Sequence, residues 1–154
     1  MEGIVGTNLV AQVGFIVKDL EETKKKWAQF LGVEVPPTQP IGDYAVTGTS
    51  YLGQPAPRAY CDMAFFDVGP GIQLELIQPN EEPSTWRQFL TEHGEGIHHV
   101  AFQVKNSSEC VARAESAGLK LIQHGVYGDG SGEYHYLDAP DLKCVVELLE
   151  SFPG

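Results

Sequence analysis

Gln12-Val-Gly-Phe-Ile-Val-Lys-Asp19 and His99-Val-Ala-Phe-Gln-Val-Lys-Asn106 are two copies of one segment. Val13 and Val100, Phe15 and Phe102, Val17 and Val104, and Lys18 and Lys105 coincide. Each copy leads into a helical stretch that stops near a glycine, Gly32 and Gly118. A second related pair closes each copy: Gln73-Leu-Glu75-Leu-Ile77 and Val145-Val-Glu147-Leu-Leu149. A repeat of this kind brings one strand position to the same place twice. Gln12, Glu75, His99 and Glu147 stand at those positions, and each side chain carries a metal-ligating atom.

Around this repeat the rest of the chain falls into two matching halves. Val10 to Val17 reads as a strand, with Val13, Phe15 and Val17 on one face and Gln12, Gly14 and Ile16 on the other. Asp19 and Glu22 form a capping box for the next helix, as Asn106 and Glu109 do in the second copy. In the first helix Leu20, Trp27, Phe30 and Leu31 make the apolar face, and Lys24, Lys25 and Lys26 are expected in solvent. Three further strands are expected within 33–46, 60–68 and 71–77, matched by 119–123, 133–137 and 143–149. Each half therefore reads β-α-β-β-β, an α+β architecture. The expected layout is one domain over 1–154, with a first module at 9–80, a connecting helix and loop at 81–96 and a second module at 97–150. The first half is the longer. Its excess lies at about 36–59, rich in Pro, Gly, Thr and Tyr, which reads as a binding loop, a mobile lid or a solvent-exposed insertion.

With 154 residues, 42% of them hydrophobic, the chain can bury a sizeable core. A net charge of −11 argues against nucleic acid and against anionic membrane surfaces, which attract basic stripes. Cys61, Cys110 and Cys144 show no close pairing and fit reduced thiols. The N-terminus has no signal-like apolar run, and no segment reaches transmembrane length. A cytoplasmic protein is the expectation.

The chemistry follows from strand parity. Gln73, Glu75 and Ile77 share one face; so do Val145, Glu147 and Leu149, and so do His99, Ala101 and Gln103. A carboxylate among Leu and Val in a central strand is costly to bury unpaired. Two of them in equivalent positions call for a common cation. One imidazole nitrogen, one amide oxygen and two carboxylates suit a single divalent ion such as Zn, Ni, Co, Mn or Fe, completed by water. Such an open site is unlike a closed cysteine-rich zinc site and points to catalysis.

The repeated module, the Gly94-Glu-Gly-Ile-His98-His99-Val-Ala-Phe102 run and the two closing strands resemble the vicinal oxygen chelate superfamily. Its members include glyoxalase I, methylmalonyl-CoA epimerase, extradiol dioxygenases and fosfomycin- or bleomycin-resistance proteins. The resemblance spans about 9–150. It implies two tandem modules forming a curved, cup-shaped mixed sheet, with the metal held by Gln12, Glu75, His99 and Glu147. Gln12 departs from the histidine often found at the first position, which counts against iron dioxygenase chemistry. The ligand set is similar to that of some glyoxalase I enzymes, while His98-His99 and the Pro83-Ser-Thr-Trp86 connection look closer to the epimerase branch. Both imply an isomerase, epimerase or lyase that moves a proton on the carbon next to a metal-polarised carbonyl. Glu147, then Glu75, is the expected base. The substrate is expected to be small, a thioester or a hemithioacetal, and the protein a homodimer.

Gln73, Gln103, His135 and Arg58 are candidates to line the substrate site. For His135 an ordinary strand histidine is the simpler reading, and for Arg58 a solvated loop residue. His98, one position off, is expected to face away from the metal. The rival functions are a non-catalytic binding or resistance protein of the same fold, and a metal-dependent dioxygenase or transferase.

Overall fold

The computed structural model describes residues 3–154; Met1 and Glu2, which open the expected domain and N-terminal reading, lie outside the described residues. The first half supplies β1 (Val10–Ile16), α1 (Leu20–Leu31), β2 (Gln39–Pro40), a single helical turn α2 (Tyr44–Thr47), β3 (Ser50–Tyr51), β4 (Gln54–Pro55), β5 (Cys61–Asp67) and β6 (Gln73–Pro79). A connecting helix α3 (Thr85–His93) leads to β7 (Gly96–Gln103), α4 (Ser107–Ser116), β8 (Lys120–Val126), β9 (Gly132–Ala139) and β10 (Cys144–Ser151). All ten strands form one mixed sheet in the order β2-β5-β6-β1-β7-β10-β9-β8-β3-β4.

The order is symmetric about the antiparallel joint between β1 and β7. Outward from it, β6 runs parallel to β1 and β10 parallel to β7, then β5 and β9 follow antiparallel. The two halves thus pair within one chain, and their first and last strands lie side by side at the centre. This places Gln12, Glu75, His99 and Glu147 on four adjacent strands.

Two apolar clusters cover one side of the sheet. Val17, Leu20, Ala28, Ala64, Phe66 and Leu76 pack α1 onto the first half. Val104, Cys110, Val111, Ala114, Leu137 and Leu148 pack α4 onto the second. A third cluster lies on the opposite, concave side and joins Ile16, Ile41, Cys61, Ile77, Trp86, Tyr134 and Tyr136. The sheet curls until the loop after β2 meets the turn between β8 and β9: a Cβ on Gly42 would lie 2.6 Å from the Gly128 Cα, closer than packing allows. Both positions therefore require glycine.

Several local expectations need correction. Lys24 is buried rather than solvated; its ammonium meets Glu21 at 3.0 Å and donates to Thr38 Oγ1 at 2.7 Å. Phe30, expected on the buried face, is 81% exposed and only edges against Trp27. The Asp19 cap forms, accepting from the Glu22 N–H at 3.1 Å. The Asn106 capping box does not, because Asn106 adopts a left-handed backbone (φ 53°) that turns its side chain off the helix end. The Glu150 carboxylate takes over and accepts the Ser107 N–H at 2.8 Å. The 36–59 stretch, which reads as a binding loop, a lid or an exposed insertion, is tied to the sheet near its middle. Its β3 pairs with β8 of the other half, and Leu52 N–H donates to the Ile122 carbonyl. Cys61, Cys110 and Cys144 are all free thiols. Among the described residues, no helix is long and apolar enough to cross a membrane.

Candidate metal centre in the cup

Strand register builds the site. Gly14 stands opposite His99 across the β1–β7 joint, Gly14 faces Glu75 across β1–β6, and Glu147 faces Ala101 across β7–β10. Gly14 thus leaves room for the His99 ring, and the polar chains reach one point from separate strands. His99 Nε2 lies 3.3 Å from Glu75 Oε1 and 3.1 Å from Glu147 Oε1. The Gln12 amide ends 3.2 Å from the same nitrogen. With its nitrogen inward it donates to both carboxylates at 3.1 Å; turned over, it presents Oε1 to the same point. All four residues are buried, His99 completely.

The electrostatics are those of a site that wants a cation. Burial would lower the His99 pKa, but the Glu147 charge and the hydrogen bonds from Glu147 and Glu75 outweigh it and raise it to about 9. Without a metal the imidazolium is therefore the counter-ion of the two carboxylates. Burial, opposed by the His99 hydrogen bond and reinforced by the Glu147 charge, raises Glu75 above the usual carboxylate range. The donor atoms of Glu75, His99 and Glu147 lie within 4.8 Å of one another. One nitrogen, one amide oxygen and two carboxylate oxygens in that space fit one divalent ion.

His98 does not simply turn away. The β1–β7 register slips between Gly14 and Phe15, leaving His98 as the extra residue of a β-bulge. A bulge re-aims side chains, and both histidines are buried. His98 Nδ1 lies 2.9 Å from His99 Nδ1, and His98 Nε2 lies 3.0 Å from Thr85 Oγ1. Burial, and then the His99 charge, hold His98 well below the usual imidazole range. A neutral His98 can accept the His99 Nδ1–H and so aim Nε2 at the carboxylates.

The site opens into a cavity of about 680 Å³, a size that suits a small molecule. Gln12, Glu75 and Glu147 line it, and so do the candidate residues Gln73 and Gln103. His135 and Arg58 do not line it. His135 points to the other side of β9, since the alternation there turns Tyr134 and Tyr136 inward. Arg58 is an exposed residue paired with Glu82 at 3.3 Å. The wall also contains residues the sequence reading passed over. Tyr136, opposite Glu147 in the β9–β10 register, sets its ring 5.2 Å from that of His99. Its hydroxyl accepts from Trp86 Nε1 at 3.0 Å. The parity that excludes His135 also selects Tyr134 and Tyr136, so the signal was in the sequence. Gly14 was the other omission. A methyl there would overlap the His99 imidazole, and a glycine in mid-strand is a sign of such close approach.

A curled sheet built from two pseudo-symmetric halves, with buried nitrogen and oxygen donors on its central strands, defines a class of cup-shaped proteins with a candidate metal site at the centre. The chain belongs to the glyoxalase/bleomycin resistance protein/dioxygenase superfamily, whose family model matches residues 11–136. It is similar to an ethylmalonyl-CoA/methylmalonyl-CoA epimerase of Cereibacter sphaeroides, with 27% identity over 88% of this chain and 92% of that one. The methylmalonyl-CoA epimerase of Mycobacterium tuberculosis has the same fold (TM-score 0.66, 23% identity, 97% and 91% coverage). So does a variant of the Streptomyces coelicolor methylmalonyl-CoA epimerase, solved in complex with 2-nitronate-propionyl-CoA (TM-score 0.64, 22% identity, 94% and 97% coverage).

Proposed function

We propose that the protein is a divalent-metal-dependent epimerase or isomerase that moves a proton on a carbon next to a carbonyl. The observation that carries this reading is the convergence of Glu75, His99 and Glu147, with the Gln12 amide, at a point where Gln12, Glu75 and Glu147 line a cavity. The similarity to an acyl-CoA epimerase supports the same class. A bound divalent ion supplies Lewis-acid polarisation of a carbonyl oxygen. The chain supplies the rest. Gln12 and His99 hold the site together, with His99 oriented by His98. Glu147, between the apolar Val145 and Leu149, takes the proton, and Glu75 on the neighbouring half returns one. Phe65, Met63, Trp86 and Tyr134 keep bulk water from the carbanionic centre.

The cavity wall narrows the substrate. It carries Glu75, Glu147 and Asp129 but neither lysine nor arginine. A dication would balance the two glutamates and leave no surplus positive charge. This favours an uncharged group beside the reacting carbon, as in a hemithioacetal, over the free carboxylate of a malonyl thioester. The test is a panel with the metal-loaded protein in deuterated water: methylmalonyl-CoA, the hemithioacetals of methylglyoxal with glutathione and other thiols, and small 2-oxo acids. α-Deuterium incorporation with at least one of them is expected. Binding without exchange across the whole panel would favour a non-catalytic binding or resistance protein instead.

The same reading includes a cytoplasmic homodimer. Its support for pairing is apolar surface: Leu9, Phe30, Val33 and Ile97 are all more than half exposed. The sheet edges contribute little, since β2 and β4 are only two residues long.

A further inference from the structure

The convex side of the second half carries a second group of ligating side chains, separated from the cup by the sheet itself. His135 and Glu133 are two apart on β9 and share a face, and His124 is the cross-strand partner of His135 on β8. The two imidazole rings stack at 4.4 Å between centroids. Both turn Nε2 toward one carboxylate oxygen, Glu133 Oε1, at 3.8 Å from His124 and 3.4 Å from His135. A ligating atom of each residue lies within 4.8 Å of the others. The group is half sheltered: His135 is buried, while His124 and Glu133 keep an opening to solvent.

A second observation points to a cation here. Glu133 stands directly opposite Glu150 across the β9–β10 ladder, a like-charge pair that destabilises a sheet unless compensated. The single hydroxyl of Ser107 is within hydrogen-bond distance of both carboxylates, 3.0 Å from Glu133 and 2.6 Å from Glu150. It has one proton and can satisfy only one of them. Among the described residues, no lysine or arginine forms an ion pair with either glutamate; the partners of Glu133 are the two histidines. His135 is buried, and its Nδ1 has no hydrogen-bond partner among the described residues.

We propose that His124, Glu133 and His135 form a second metal site, independent of the cup, for a borderline divalent ion of the zinc type. Two imidazole nitrogens and one carboxylate are the donors such an ion prefers, whereas magnesium and calcium favour sites built of oxygen. The Ser107 hydroxyl, 3.0 Å from Glu133, would hold that carboxylate in place from behind once the ion offsets the charge of Glu150. The ion would tie β8 to β9 and, through Ser107, to the start of α4. Its role would be to brace the second half, and the proposal does not depend on the chemistry of the cup.

The test uses the full chain, with Zn²⁺ as the probe. Long-range ¹H–¹⁵N spectra of the imidazoles would be followed during titration, alongside calorimetry. Resonances assigned to Nε2 of His124 and His135 should shift on addition of Zn²⁺ and respond weakly to Mg²⁺. The double variant His124→Asn/His135→Asn should weaken this binding step at least tenfold and leave the His99 response intact. Glu133→Gln should weaken it as well, which guards against misfolding of the double variant as the explanation. A Zn²⁺ titration that leaves both imidazoles unmoved would overturn the proposal. So would equal Zn²⁺ affinity and stoichiometry in the wild type and in both variants.

Discussion

At the scale of single residues, His99 sets the behaviour of the cup. Two carboxylates within 3.3 Å make it a strong base, with a pKa of about 9. A metal must therefore displace a proton, and loading at pH 7 should release about one proton per ion bound in the cup, read from calorimetry in buffers of different ionisation enthalpy. The metal-free protein should show the opposite side of this linkage. The His99 pKa is raised on folding, so its stabilisation is complete below pH 6.5 and is lost as pH rises through 9. The loss is on the order of 3 kcal/mol. Denaturant unfolding of metal-free protein at pH 6.5 and 9.5, beside His99→Asn as reference, checks it; parallel pH dependence in the two proteins would contradict it. Glu147→Gln retains an oxygen donor but removes the proposed base. It should bind the ion yet slow α-proton exchange by about 10²–10⁴-fold; exchange at the wild-type rate would move the role to Glu75. Gly14→Ala would push a methyl into the His99 ring. It should cost about 1–3 kcal/mol of stability and weaken metal binding in the cup, measured by thermal unfolding and Zn²⁺ titration.

At the scale of elements, parity carries most of the information. Alternation along β6, β7 and β10 was enough to put Glu75, His99 and Glu147 on one face, and the repeat then made the strands neighbours. Parity fails where a strand is irregular. The bulge at His98 is invisible in a pattern of period two, so the aiming of His99 by His98 and Thr85 could not be read. Helix faces were less legible than strands. The Lys24 ammonium is buried because Glu21 and Thr38, the latter from beyond the helix, converge on it. Asn106 loses its capping role to Glu150, distant in sequence. The 36–59 stretch was ambiguous because its composition marks a loop while its pairing partner, β8, lies in the other half. That pairing makes a prediction. The Leu52 amide, bonded to the Ile122 carbonyl at 2.8 Å, should exchange with solvent as slowly as the β8 amides. Exchange within seconds would mean that the stretch moves as a lid.

At the scale of the whole molecule, the sheet closes within one chain, so a monomer already has all four central donors. Dimerisation, if governed by the exposed apolar side chains, should then be separable from metal binding. Light scattering should give a dimeric mass for the wild type. Phe30→Asp, which places charge on a residue 81% exposed, should shift it toward monomer while leaving the ion bound. A monomeric wild-type mass across a wide concentration range would overturn the pairing. The overall plan was legible because it repeats; the substrate was not, because specificity rests on cavity-lining residues drawn from eight separate segments with no shared pattern. Charge illustrates the difficulty: the chain as a whole is acidic, yet what bears on the substrate is the absence of lysine and arginine from one wall.

The central claim is that one divalent ion sits among Gln12, Glu75, His99 and Glu147. Anomalous diffraction from crystals grown with Zn²⁺, collected on both sides of the zinc absorption edge, tests it most directly. The account predicts an anomalous peak about 2.0–2.2 Å from His99 Nε2 and from an oxygen of Glu75 and of Glu147, with the Gln12 amide oxygen turned toward it. Zinc-loaded crystals with no peak at that point, and with His99 still hydrogen-bonded to both glutamates, would contradict it.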